Sequence, residues 1–381
     1  MNTILEYLEW RGDLTMQERP LNEVDNLILS ELSYYCLEDV LQGEEEITVA
    51  EAYARHKTAT CTGDYSLNDP VPLLRACAKS KRFGNIKLKN YTTLTDTDRQ
   101  LQFAAVTFVL EETAIYIAFR GTDTTIVGWR EDCNFSFMHE TPAQAEAVNY
   151  LNRVVPECKA PVYVGGHSKG GNLAVYASAF CAEENKERIL AVYSNDGPGF
   201  NEYVVGRPEF SKILPKVQLI VPESSVVAIL LSNTPIAKTV PCNTKKILMQ
   251  HSPYTWGVGC DRFLSKEKRS SVSSTLQDIM QQWITALSYE QREMFVRSLF
   301  DSLEASGAKT LSDILDQQWI GFNAFIASVK HQDTSFKNNF TQALKKLVAC
   351  TGGTIWNNRK KKFEPKNSKK LKALPSNRKK K

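Results

Sequence analysis

A glycine-flanked serine between a short apolar run and a helical stripe is the feature that most constrains the fold. Residues 161–166 (PVYVGG) form the apolar run. Residues 168–184 (SKGGNLAVYASAFCAEE) then place apolar side chains at helical spacing, namely Leu173, Ala174, Ala177 and Phe180. This order predicts a strand, a tight turn and a helix, with Ser168 at the turn.

The turn matches the pattern G-x-S-x-G at residues 166–170 (GHSKG). A serine nucleophile needs a sharp, strained turn that exposes its hydroxyl, and flanking glycines let neighbouring backbone approach closely. The helix N-terminus after the serine also favours developing negative charge. Ser168 is therefore the predicted nucleophile, and the alternative is a glycine-rich turn with an idle serine. The phosphate-binding pattern G-x-x-x-x-G-K-[ST] is absent, which disfavours an NTPase.

Further runs of β-branched and aromatic residues predict a sheet around this turn. Residues 102–110 (QFAAVTFVL) and 113–120 (TAIYIAFR) indicate a hairpin, and residues 188–195 and 216–222 indicate two later strands. A helix is expected at 142–156, capped by Thr141 with Pro142 in its first turn. The fold class is therefore α/β, with a mostly parallel central sheet flanked by helices.

The remaining segments are less informative. Residues 20–42 have helical periodicity, and 44–100 show little pattern beyond a helix near 70–80. After residue 262 only helical periodicity remains. We therefore expect a core at 1–261, a helical C-terminal region at 262–350 and a basic, disordered tail at 351–381.

The net charge of +4 conceals an asymmetry. Residues 357–381 contain twelve Lys and Arg against one acidic residue, Glu364, so residues 1–356 are net negative. Only the tail is expected to attract polyanions. The two interpretations of it are a solvated, disordered extension and a segment that contacts nucleic acid or anionic lipid. Nucleic-acid binding is not the expected role of the body.

Cysteine usage and the N-terminal segment bear on the compartment. Nine cysteines without a C-x-x-C pair argue against a disulfide framework and a zinc site, so reduced thiols are expected. Residues 1–20 carry acidic side chains where a signal peptide has an apolar core, and no apolar run reaches membrane-spanning length. A cytoplasmic protein is expected.

A serine nucleophile needs a base, and histidine suits this role because its pKa lies near neutral pH. The base follows the nucleophile in enzymes that use this turn, which leaves His251 and His331 of the five histidines. His331 lies in a helical segment, whereas His251 follows an apolar run on a loop (LMQHSPYTWG). His251 is the predicted base, and the side chain of His167 is expected to point away from the serine.

The acid that orients the base has two candidates. Asp196 (SNDGPGF) ends the strand after the nucleophile's helix, and Glu223 (VPESS) ends the next strand. Functional groups collect at the carboxyl ends of such strands, and spacing does not separate the two. An oxyanion hole would use the amide of Lys169 and a second amide from the loop at 119–122 (FRGT).

Residues 118–137 (AFRGTDTTIVGWREDCNFSF) resemble the FRG[TS]…W..D segment of the class 3 (fungal-type) lipases. Residues 164–177 (VGGHSKGGNLAVYA) resemble their GHSLGGALA turn, and 250–256 (QHSPYTW) resemble their histidine segment. The arrangement is also similar to a bacterial domain-of-unknown-function family related to these lipases. The resemblance covers about residues 1–260 and implies an α/β-hydrolase fold.

The same resemblance implies Ser168 as nucleophile, His251 as base and an oxyanion amide near Thr122. Where these lipases have the acid, in a D-x-V-P-type segment, this chain has residues 224–227 (SSVV). We therefore favour Asp196, held between a strand end and a Gly-Pro-Gly turn, over Glu223. Lys169 replaces a leucine of the lipases, which predicts a cation beside the site, and no prominent hydrophobic lid is seen.

These features predict a serine hydrolase that acts on a carboxylic ester, small or lipid-like, through a Ser-His-acid triad. No metal or organic cofactor is implied. The alternative from another class is a catalytically inactive hydrolase-fold protein that binds a ligand.

Overall fold

The central sheet has eight strands that lie side by side in the order in which the chain forms them. The computed structural model describes residues 1–41, 46–56, 69–111, 113–123, 125–231, 235–305, 338, 341–342, 345–349 and 351. Within these residues the strands are β1 (Glu46–Thr48), β2 (Lys87–Asp96), β3 (Leu101–Leu110), β4 (Ala114–Phe119), β5 (Val162–His167), β6 (Ile189–Asn195), β7 (Val217–Pro222) and β8 (Ile236–Val240).

Strand direction divides the sheet into two parts. Strands β1 to β4 are antiparallel, and β4 to β8 are parallel to one another. The predicted hairpin is confirmed, since β3 and β4 pair in antiparallel register. The two later strands are also confirmed as β6 and β7. The sheet is mostly parallel, as predicted, and β1 and β2 fall in the segment that showed little pattern.

Helices cover both faces of the sheet. They are α1 (Ile4–Arg11), α2 (Glu23–Leu32), α3 (Glu38–Leu41), α4 (Val49–His56), α5 (Val71–Lys79), α6 (Ile126–Asn134), α7 (Pro142–Glu157), α8 (Lys169–Phe180), α9 (Glu183–Arg188), α10 (Glu202–Val205), α11 (Pro208–Ile213), α12 (Ser271–Thr285) and α13 (Tyr289–Ala305). The described residues also form three short 3-10 helices, at Leu214–Lys216, Leu248–His251 and Pro253–Thr255.

The helix predicted at 142–156 is confirmed as α7, because the Thr141 side chain caps it and Pro142 occupies its first turn. Helix α5 confirms the helix near 70–80. The helix predicted over 20–42 is shorter: α2 begins after its N-cap Asn22 and ends at Leu32.

The core has one layer on each face of the sheet. Alternate side chains of β3 and β4 point to opposite faces and contribute to both layers. Val106, Phe108, Tyr116 and Ala118 pack with α1, α2 and α5 on one face. On the other face Phe103, Ala105, Ile115, Ile117 and Phe119 pack with α7, α8 and α11. Since side chains alternate with period 2, a strand buried on both faces is nearly all apolar, as both runs are.

The C-terminal region contributes α12 and α13, which pack against the body. The helical segment predicted after residue 305 and the basic tail lie almost entirely outside the described residues. Helices in the described part are too short or too polar to cross a membrane. The expectation of reduced thiols is wrong at one position, since Cys36 is disulfide-bonded; six other described cysteines are free.

Candidate active site

Ser168 occupies the turn between β5 and α8 in a strained conformation, with φ 57° and ψ −130°. Its N–H donates to the carbonyl of Asn195 at 2.9 Å. A Cβ on Gly170 would lie 2.0 Å from the carbonyl oxygen of Phe119, and one on Gly166 would lie 2.3 Å from the backbone of Gly170. Only glycine at these positions lets the strand and the helix approach closely enough to form the turn.

The register of the parallel strands places three loops together at the carboxyl edge of the sheet. Phe119 pairs with Gly166, and His167 pairs with Asn195. Strands β4, β5 and β6 therefore end at the same level of the sheet. The loops that follow them carry Thr122, Ser168 and Asp196, respectively. This edge is where the functional groups of open α/β sheets collect.

Asp196 and His251 form a hydrogen-bonded pair beside the turn. The Nδ1–H of His251 donates to Oδ2 of Asp196 at 2.7 Å. The carboxylate is fully buried, while the imidazole remains 18% exposed. Because the carboxylate accepts the Nδ1 proton, the neutral imidazole carries its lone pair on Nε2, which is the nitrogen able to take a proton.

The two candidate acids occupy different environments. Glu223 forms an ion pair with Lys266, whereas Asp196 meets His251. The hydroxyl of Ser225 donates to the other oxygen of Asp196, Oδ1, at 2.5 Å. Ser225 lies in the segment that corresponds to the acid-bearing segment of the lipases. In this chain that segment holds no acid and instead donates a hydrogen bond to Asp196, which follows the neighbouring strand β6.

A buried network fixes the loop that carries His251. Trp256 Nε1–H donates to the carbonyl of Gln250 at 2.8 Å, and the side-chain oxygen of Gln250 accepts from Ser224 N–H at 2.9 Å. The Trp256 of the QHSPYTW segment thus holds the backbone next to the base. His167 adds a further contact, since its Nε2 lies 2.9 Å from the carbonyl oxygen of His251.

His167 is enclosed by α2 and by the segment after it. Its Nδ1 lies 3.2 Å from Oε1 of Glu31 and 3.3 Å from the hydroxyl of Tyr34. Burial raises the pKa of Glu31 to about 8, and burial followed by the nearby charge of His251 holds the pKa of His167 well below its usual value. Both groups are therefore neutral at pH 7.

The neutral state is consistent with the contacts of the pair. Glu31 Oε1 has no hydrogen-bond partner among the described residues and lies 3.2 Å from Nδ1 of His167. A protonated Glu31 is able to donate to that nitrogen, while Nε2–H of His167 donates to the carbonyl of His251. Sequence reasoning missed Glu31, whose only signal is a carboxylate within an otherwise buried helix.

The proposed oxyanion loop is held by α6. The hydroxyl of Thr122 donates to Oδ2 of Asp132 at 2.7 Å. Asp132 is partly buried, its buried Oδ1 has no hydrogen-bond partner among the described residues, and desolvation of the carboxyl raises its pKa to about 7. Asp132 is the aspartate of the W..D segment, a signal that was present in the sequence without a role attached to it.

The prediction that Lys169 places a cation beside the site is wrong. The Lys169 side chain is fully buried and points toward β3 and α6. Its Nζ donates to the main-chain carbonyl of Gln102 at 2.7 Å and to Oε2 of Glu131 at 3.1 Å. Glu131 lies next to Asp132 on α6, so this buried ion pair joins the nucleophile's helix to the helix behind Thr122.

The other histidines serve elsewhere. His56 bonds the hydroxyl of Tyr35, His139 stacks on Tyr203 with ring centroids 3.7 Å apart, and His331 lies outside the described residues. His139 lines an open cavity of about 630 Å³ that does not include Ser168. The described residues contain no cluster of His, Cys, Asp or Glu able to hold a metal ion.

Ser168 itself lines a smaller cavity of about 170 Å³. Its walls include Met280 and Trp283 of α12 and Phe295 and Val296 of α13. The sequence showed no prominent lid, yet a pair of apolar helices covers the serine. The apolar stripes of α12 and α13 were visible as helical periodicity, but nothing in their spacing tied them to Ser168.

A mostly parallel sheet, a strained serine turn and a hydrogen-bonded His–Asp pair at its carboxyl edge define an α/β-hydrolase-like protein. The family model described as Mbeg1-like matches residues 77–301, more than half of the chain. The chain belongs to this lipase-like family, which confirms the resemblance seen in its motifs.

Solved structures similar to this chain include three lipases. M37 lipase has 18% identity and a TM-score of 0.32, over 53% of this chain and 67% of that one. The Rhizomucor miehei lipase propeptide complex has 15% identity and a TM-score of 0.31, over 62% and 82%. A triacylglycerol lipase from Penicillium expansum has 13% identity and a TM-score of 0.28, over 45% and 75%. No curated protein matches the chain.

Proposed function

We propose that this protein hydrolyses carboxylic esters, with Ser168 as nucleophile, His251 as general base and Asp196 as the carboxylate that orients the base. The observation that carries the proposal is the 2.7 Å hydrogen bond between His251 Nδ1 and Asp196 Oδ2, beside a serine with φ 57°. Membership of a lipase-like family supports it.

In the first half of the reaction, Oγ of Ser168 attacks the ester carbonyl while Nε2 of His251 takes the hydroxyl proton. The main-chain amides of Thr122 and Lys169 stabilise the oxyanion of the tetrahedral intermediate. The imidazolium then protonates the leaving alcohol, and an acyl group remains on Ser168.

In the second half, water attacks the acyl carbonyl and His251 takes its proton. Collapse of the second intermediate breaks the bond to Oγ, which recovers the proton, and the carboxylic acid leaves. Buried Asp196 keeps His251 in the required tautomer and stabilises the imidazolium throughout.

A fluorophosphonate probe and a panel of p-nitrophenyl esters test this function. The wild-type protein should be labelled once, at Ser168, and should hydrolyse at least one ester. Ser168→Ala should lose both, whereas Ser224→Ala, a nearby serine outside the proposed triad, should retain labelling. Folded wild-type protein that neither reacts with the probe nor cleaves any ester would instead identify a ligand-binding member of the fold.

A further inference from the structure

The cavity at Ser168 is walled mainly by hydrocarbon from outside the hydrolase sheet. Helix α12 supplies Met280, Trp283 and Ile284, Leu287 lies in the turn between α12 and α13, and α13 supplies Phe295 and Val296. The loop after β7 supplies the opposite wall, with Val227, Leu230 and Leu231. An acyl group attached to Ser168 would therefore lie against the C-terminal helices.

The charged and hydroxyl side chains around this cavity, apart from Ser168, are already bonded to protein. Arg292 bonds both carboxylate oxygens of Glu202 at 3.0 Å and donates to the main-chain carbonyl of Ser136 at 2.8 Å. The hydroxyl of Ser136 donates to the carbonyl of Cys133, and Asp132 accepts from Thr122. Oδ1 of Asp132 and Nε1–H of Trp129 line the cavity without a hydrogen-bond partner among the described residues. An anionic acyl group would gain at most one N–H donor there and no unpaired cation, so the cavity suits an uncharged chain.

The two helices are fixed to the body on several sides. The hydroxyl of Ser273 on α12 donates to the carbonyl of Ser225 at 2.7 Å. On α13, besides the Arg292–Glu202 pair, Asp301 lies 2.9 Å from the guanidinium of Arg130 on α6. The size of the cavity is thus set by anchored elements, which makes it a preformed pocket.

We infer that α12 and α13 form the acyl-binding wall of the enzyme and restrict it to esters of short, uncharged acyl chains. A dry apolar cavity of roughly 150 Å³ admits the six carbons of benzene, so about 170 Å³ corresponds to chains of about four to eight carbons. The inference rests on the proposed function and names the substrate class of the same site.

A series of p-nitrophenyl esters from acetate to palmitate tests the inference on the full-length protein. The wild-type kcat/KM should be greatest between butyrate and octanoate and fall at least tenfold by palmitate. Leu287→Phe should lower kcat/KM for octanoate about tenfold relative to acetate, and Trp283→Ala should raise it for dodecanoate by about the same factor. Val272→Phe, on the exposed face of α12, is the matched control and should leave the profile unchanged.

Binding without turnover gives a second readout. Ser168→Ala should bind p-nitrophenyl hexanoate in isothermal titration, and adding Leu287→Phe should weaken that binding about tenfold. A profile that is flat or greatest at palmitate, or variants that change all chain lengths equally, overturn the inference while Ser168 labelling by fluorophosphonate keeps the proposed function. Absence of both labelling and ester cleavage overturns the proposed function and this inference with it.

Discussion

His167 holds the main-chain carbonyl of His251 through its Nε2–H at 2.9 Å, and the two imidazole rings lie with centroids 4.6 Å apart. The residue next to Ser168 therefore fixes the backbone of His251, the proposed base. Because burial holds the pKa of His167 well below its usual value, its imidazole is neutral at pH 7 and this contact is a hydrogen bond between uncharged groups.

Replacing His167 with leucine is expected to lower kcat by about 10- to 100-fold with a smaller change in KM, because a displacement of the base by about 1 Å has that cost. Steady-state kinetics on the preferred ester measure it. His139→Leu, which alters a histidine stacked on Tyr203, is the matched control and should keep kcat within twofold. Equal effects of the two substitutions would contradict a positioning role for His167.

Glu31 should make stability depend on pH. Its pKa is raised from 4.5 to about 8 by burial, so between these values the folded protein holds a proton that the unfolded chain has released. Stability is then lost as the pH rises from 4.5 toward 8. Glu31→Gln removes this loss. In urea unfolding, the free energy of unfolding of the variant relative to that of the wild type should therefore rise by roughly 2–5 kcal/mol from pH 5 to pH 8. A constant difference between the two proteins would show that Glu31 does not hold its proton.

The contact between Thr122 and Asp132 should matter to the rate. Thr122→Val removes the hydroxyl that Asp132 accepts at 2.7 Å and should lower kcat/KM by roughly 10- to 100-fold, since loss of an oxyanion support has effects of this order. Thr122→Ser keeps the hydroxyl and should restore most of the activity. If Thr122→Ser lowered kcat/KM as much as Thr122→Val, the rate would depend on the methyl group of Thr122 and not on its hydrogen bond to Asp132.

Lys169 should be a stability residue and not a substrate contact. Lys169→Met leaves Glu131 buried with a smaller set of donors, and removing one partner of a buried ion pair costs about 3–5 kcal/mol. Urea unfolding should show this loss, and Lys169→Met with Glu131→Gln should recover much of it. The exposed Lys212→Met serves as a control. A change in acyl-chain preference with unaltered stability would place the ammonium at the cavity after all.

Arg292 should keep α13 in place. The paired guanidinium lowers the pKa of Glu202 to about 2, so the ion pair is complete above pH 4.5 and is lost as the pH falls toward 2. Arg292→Gln should therefore speed hydrogen exchange in residues 289–305 at pH 7, while β5 is unaffected. Arg297→Gln, which alters an exposed pair within the same helix, should change little. Unaltered exchange would mean that apolar packing alone holds α13.

The parts of the fold that were predictable from sequence are those set by local pattern. The hairpin of β3 and β4 and the capped helix α7 depend on residues close together in the chain. Strand β2 was missed because its burial is mixed, with few fully buried positions, so its alternation is weak. It forms because β3 provides a long antiparallel partner.

The site shows the same division. Ser168 and His251 were selected by motif and chain order, but Asp196 and Glu223 both follow parallel strands at one edge and could not be separated by spacing; only the family resemblance favoured Asp196. What distinguishes them is Lys266, which is 43 residues away in sequence and forms an ion pair with Glu223. The side-chain direction of Lys169 depended likewise on Glu131, a distant partner that helical spacing does not reveal.

Ser225 connects helix α12, which lines the cavity at Ser168, to the buried carboxylate of Asp196. Ser225 gives its hydroxyl to Asp196 and its carbonyl to Ser273 of α12. The proposed acyl-binding wall and the carboxylate of Asp196 are therefore joined through a single residue, and replacing α12 and α13 with the helices of a relative should move the carboxylate as well as reshape the pocket.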